Sequence, residues 1–102
     1  MAGIGVRFDA RTPEANTESG TNVITVYFFA GLRELASQSS CVLVWHSGLT
    51  AGNVRSMIAD KWPTMQQLLR RSSLAINNQM AADEQLVPDG AEVALLPPVS
   101  GG

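Results

Sequence analysis

The stretch with the most chemistry in it is "LLPPVSGG", residues 95–102. Gly101 and Gly102 carry no Cβ, so they can thread a channel too narrow for any other residue. The α-carboxylate of Gly102, with a reference pKa of about 3.5, is ionised at neutral pH and is a poor electrophile. Adenylation by a partner would turn it into a mixed anhydride, open to attack by sulfur or by an amine. Pro97 and Pro98 have no N–H to give to a central strand ladder and hold the chain extended as it leaves. Residues 97–102 reach roughly 20 Å when extended, as an arm stiff at its base and free at its tip. By composition alone, two terminal glycines arise by chance in about 0.5% of chains. Their position after Pro-Pro and a final strand makes the motif much more specific.

The rest of the chain offers little side-chain chemistry. Its 102 residues contain one cysteine and one histidine, Cys41 and His46. That excludes an internal disulfide and a cysteine-based metal site, and no metal is expected. Cys41 opens an apolar run and reads as a small buried hydrophobe. His46 and the pair Arg70-Arg71 read as surface residues. With 45% apolar and 16% charged residues, the composition is that of one globular domain. A net charge of −2 leaves no basic footprint for nucleic acid or an anionic membrane. Neither a membrane span nor a secretory signal is legible, and the expected location is cytoplasmic.

Residues 1–21 show no sustained periodicity and read as a flexible N-terminal extension, in which "GVRF" has the makings of a short edge strand. Residues 22–102 read as the folded domain, with residues 97–102 as its tail. "NVITVYFFA" is β-branched and aromatic, hence a strand. Ile24, Val26 and Phe28 share one face; Val23, Thr25, Tyr27 and Phe29 share the other, and cover is expected over both. "GLRELASQSS" predicts a short helix or turn that needs packing to persist, and "CVLVWH" a second strand. Thr50 is placed to N-cap a helix from Ala51 to about Trp62, whose apolar residues recur at spacings of three and four. Pro63 ends or kinks it, and "TMQQLLRR" adds a turn. "SLAINNQMA" predicts a strand turning at Asn77-Asn78, Pro88-Asp89-Gly90 a further turn, and "AEVALL" the last strand. This order predicts an α+β fold, a mixed sheet packed on one face by one long helix, the other face having no obvious cover.

Three segments together carry a family resemblance: "VYFFAGLRE", "AINNQMA" with "LVPDGAEVALL", and the terminal "PPVSGG". Over residues 22–102 the chain resembles the small subunit of molybdopterin synthase, the MoaD-like sulfur carriers. The resemblance implies the ubiquitin-like β-grasp. It also implies that Gly102, supported by Gly101, is adenylated by a separate E1-like adenylyltransferase and converted to a thiocarboxylate. The tail would then enter a large subunit and give its sulfur to a pterin precursor in molybdenum cofactor biosynthesis. The implied complex has two small and two large subunits. No cofactor is expected on this chain itself; ATP is used by the activating enzyme.

The same resemblance assigns partner docking to apolar residues at Phe29, Met80 and Leu96, with Pro97 and Pro98 at the base of the tail. Parity along the strands puts Phe29 and Leu96 on the face away from the long helix. Arg33, in the family's Arg-Glu pair, contacts a partner or caps local structure; both readings stand. The chain departs from the family in its N-terminal extension and in Leu95-Leu96, where aromatic residues are common. Competing readings are a sulfur carrier for thiamin thiazole synthesis, a ubiquitin-like protein modifier, and an interaction domain with an inert tail.

Overall fold

Alternating burial makes the first strand. In β1 (Val23–Phe28), Ile24, Val26 and Phe28 are buried while the residues between them are half-exposed. The computed structural model describes residues 22–98, so the expected extension (1–21) and the tip of the tail, including Gly101 and Gly102, lie outside the described residues. The elements that follow are α1 (Ala30–Ala36), β2 (Ser40–Val44), α2 (Ala51–Lys61), a 3-10 turn (Pro63–Met65), α3 (Gln66–Arg70), β3 (Ser73–Ile76), β4 (Gln79–Ala81) and β5 (Glu92–Leu96).

The strands form one mixed sheet in the order β2-β1-β5-β3-β4. The last strand lies beside the first and parallel to it, with Phe28 opposite Leu95; the other pairs are antiparallel. The β3–β4 connection is the expected turn. Asn77 and Asn78 take φ of 49° and 71°, the left-handed values a two-residue hairpin demands and asparagine tolerates. Gly90, at φ 78°, supplies the positive φ of the second turn.

Helix α2 starts where Thr50 predicts. The Thr50 hydroxyl accepts from the Asn53 amide at 3.1 Å, and the Asn53 side chain accepts from the Thr50 amide at 3.0 Å, a reciprocal cap. The carbonyls of Gln85 and Asp83 take the amides of Ala51 and Gly52, each at 2.9 Å. The β4–β5 connection therefore closes the helix end. It needs Gly52, where a Cβ would stand 3.3 Å from the Asp83 carbonyl oxygen. At its other end α2 stops at Trp62, held extended before Pro63 (φ −130°, ψ 80°). The Trp62 ring meets Phe28 edge-on at 5.2 Å.

The long helix packs together with the short helix and the added turn expected on either side of it: Leu32 and Ala36 of α1, Ala51, Val54 and Ile58 of α2, Met65 of the turn and Leu69 of α3 share one core with the sheet. Their apolar positions all point to the same side, which short helices require for persistence. The helices cover the inner face of β1; on the outer face, among the described residues, Val42, Val44 and Met80 are 59%, 69% and 66% exposed.

One residue ties the layer together. Arg55 of α2 donates from Nη1 to the carbonyls of Leu69 (2.6 Å) and Ser72 (2.8 Å), and from Nη2 to Asp83 Oδ1 (3.0 Å). Asp83 is mostly exposed, so the ion pair contributes little and the two carbonyl bonds dominate. Arg55→Met is expected to lower unfolding free energy by about 2–4 kcal/mol, because two part-buried carbonyls lose their charged donor. In a thermal melt this should read as a fall of about 10 °C or more.

Candidate functional site

Strand β5 delivers the tail. Val93 and Leu95 are buried under the helices, whereas Ala94 and Leu96 face the open side. The ladder stops at Leu96, and Pro97-Pro98 continue beyond the sheet, as their missing N–H groups require. Beside this exit β1 ends. Phe29 is still extended (φ −124°, ψ 150°), and Ala30 then turns the chain through φ 50° into α1. That turn leaves the Phe29 ring 46% exposed.

Phe29, Leu96, Pro97 and Pro98 thus line one open cleft of about 530 Å³, together with Ala30, Gly31 and Leu68. Leu68 comes from α3. It approaches so closely that a Cβ on Gly31 would stand 3.2 Å from its Cδ2. The walls are apolar and no titratable side chain is among them. Chemically this is an apolar cleft with no acid, base or nucleophile, placed where the chain leaves the sheet.

The other predicted residues are placed differently. Met80 does share the outer face: register aligns it with Ala75, then Ala94, then Tyr27. It lies two strands from β5 and lines a separate cleft of about 360 Å³ with Leu86 and Pro88. Arg33 stands exposed in the last turn of α1 and does not line the tail cleft. Cys41 is half-buried against the core, and burial pushes its thiol above the ordinary value despite nearby Lys61, as suits a packing residue. Among the described residues no group of three potential ligands gathers for a metal, and no helix is long and apolar enough to cross a membrane.

Sequence reasoning missed Leu68, Leu86 and a polar pair in the middle of the outer face. Tyr27 donates its hydroxyl to Glu92 Oε2 at 3.4 Å. Burial first, and then the Glu92 carboxylate, push the Tyr27 phenol above its ordinary value. The folded state therefore holds this proton more tightly than the unfolded chain. The resulting stability is fully present below about pH 10 and is lost as pH rises through the folded value. Urea midpoints measured across that alkaline range should fall more steeply for the native chain than for Tyr27→Phe.

The sequence profile of the ThiS family matches residues 26–102, the tail included. The chain belongs to the ThiS family. Among relatives of this ThiS-family chain is a molybdopterin synthase sulfur carrier subunit from Arabidopsis thaliana, 32% identical over 79 residues. That match covers 78% of this chain and 82% of the relative. SAMP1 from Haloferax volcanii superposes with a TM-score of 0.71 at 24% identity, covering 78% of this chain and 99% of that one. A chain in the complex of subunits 1 and 2 of the molybdopterin-converting factor from Helicobacter pylori superposes with a TM-score of 0.57 at 20% identity. It is covered over 99% of its length by 78% of this chain. The fold is the ubiquitin-like β-grasp expected from the family resemblance.

Proposed function

We propose that this chain is the sulfur-carrier small subunit of a molybdopterin synthase, with Gly102 as the reacting residue and Gly101 as its slender approach. The observation that carries the reading is the likeness to molybdopterin synthase sulfur carrier subunits, 32% identity over 79 residues to the Arabidopsis thaliana one, within a family match that runs through residue 102. The exit of Pro97-Pro98 beside an exposed apolar cleft supports it. An E1-like adenylyltransferase supplies ATP: the Gly102 carboxylate attacks the α-phosphorus and pyrophosphate leaves. Sulfide then attacks the acyl carbon and AMP leaves, giving a thiocarboxylate. In the large subunit its sulfur attacks an electrophilic carbon of the pterin precursor and displaces an oxygen leaving group, giving a thioester. Water then cleaves the acyl–sulfur bond, leaving the thiol on the pterin and the Gly102 carboxylate ready for another round. Phe29, Leu96 and Met80 dock both partners in turn. ATP binding belongs to the activating enzyme, and the assembly is a heterotetramer of two small and two large subunits.

The test is the intact mass of the chain after incubation with ATP, a cognate adenylyltransferase and sulfide. The expected gain is the difference between one sulfur and one oxygen, located at Gly102. The loaded chain, mixed with the large subunit and precursor, should then return to its original mass as the pterin gains sulfur. A mass that never changes overturns the carrier reading. Isopeptide conjugates in its place would favour a protein modifier, the reading to which the likeness to SAMP1 points.

A further inference from the structure

Glu92 sits where a docking partner cannot avoid it. Register puts Glu92, Ala94 and Leu96 on the outer face of the central strand, with Thr25 and Tyr27 beside them on β1. Among the described strand residues that face outward, Glu92 is the one that carries a charge. It lies about 13 Å along the strand from Leu96. A standard interface covers about 800 Å² per partner, a disc of about 16 Å radius. Any such footprint centred on Leu96 therefore takes in Glu92.

About 13 Å from the centre, the carboxylate falls toward the polar rim of that footprint. A rim charge acts through steering and salt dependence, and it favours a partner that presents the opposite charge there. Tyr27 orients the carboxylate without neutralising it: its hydroxyl donates to Oε2 in a long bond of 3.4 Å. The backbone under Glu92 is fixed as well, since its amide donates to Asn77 Oδ1 at 2.9 Å and its carbonyl accepts from the Asn77 amide at 2.8 Å. The carboxylate thus stands on a fixed base at the end of the central strand opposite Leu96, in the cross-strand row that holds Thr25 and Val42.

We propose that Glu92, oriented by Tyr27, is the charge-recognition residue of this docking face, and that its partner is a protein surface presenting an arginine or lysine within an apolar surround. This rests on the docking role given above to Phe29 and Leu96. Glu92 adds specificity and steering to that contact, because charge complementarity selects among surfaces of similar hydrophobicity.

The experiment titrates the large subunit of molybdopterin synthase from the same organism with the native chain, Glu92→Gln, Glu92→Asp and Phe29→Asp, at low and high salt. Melting curves confirm that each variant is folded. The native Kd should rise with salt. Glu92→Gln should raise the low-salt Kd about tenfold and flatten the salt dependence, while Glu92→Asp recovers part of both. Glu92→Gln binding within about twofold of native with an unchanged salt slope, while Phe29→Asp fails to bind, overturns the role of Glu92 alone. Phe29→Asp binding as tightly as native overturns the docking face, and the inference with it.

Discussion

A chain that lacks Gly102, or that carries one alanine after it, is expected to lose sulfur loading by about 100-fold or more while melting at the native temperature. The chemistry needs one carboxylate at a fixed reach from a docked domain. One residue more or less moves that carboxylate by about 3.5 Å along an extended chain. Misplacing a reacting group by about 1 Å can already cost 100-fold in rate. In the proposed mechanism the added alanine also puts a Cβ where two glycines would bring backbone alone. Neither change touches the domain, because the sheet ends at Leu96 and the core lies under Val93 and Leu95. Intact-mass kinetics of loading, paired with a thermal melt, check both halves. Native-like loading of the extended chain would mean that Gly102 is not the reacting residue.

Phe29→Asp is expected to abolish complex formation and leave the fold intact. A central aromatic anchor is worth about 2–4 kcal/mol on truncation alone. The aspartate also brings a charge that docking would bury without a partner. Together these weaken Kd by about 1000-fold or more. The fold tolerates the change for a specific reason: Phe29 is the N-cap residue of α1, extended, exposed, and making no side-chain cap bond. Aspartate is a favoured N-cap, so the melting temperature should hold or rise. Analytical ultracentrifugation with the large subunit reads the first effect and a thermal melt the second. A variant that unfolds would show that Phe29 serves the core.

Local chemistry was legible along the chain. Thr50 with Asn53 marks the start of α2, Pro63 its end, Asn77-Asn78 and Pro88-Asp89-Gly90 the turns, and Pro97 the end of β5. Each of these rests on a residue's own backbone preference or on a bond to a near neighbour, and such preferences survive whatever the rest of the molecule does. Parity added the inner faces of β1 and β5, because side chains alternate on any strand.

The tertiary structure decided whatever depends on which strand lies beside which. Which layer covers which face of β1 could not be read from its apolar composition, which records hydrophobicity and not the number of layers available to bury it. Helix α2 with its short neighbours supplies the layer over the inner face. Tyr27 meets Glu92 only because the first and last strands pair in parallel, 65 residues apart in sequence. Arg55 reads as one more surface arginine until folding brings Leu69, Ser72 and Asp83 around it. The cleft at the root of the tail is likewise assembled from three separate segments of chain. By itself, then, the sequence determined the elements, their ends and the Gly-Gly terminus, all of them local properties. The outer face of the sheet, the one charge among its described strand residues and the cleft beside Pro97-Pro98 came from long-range pairing, which no local preference encodes.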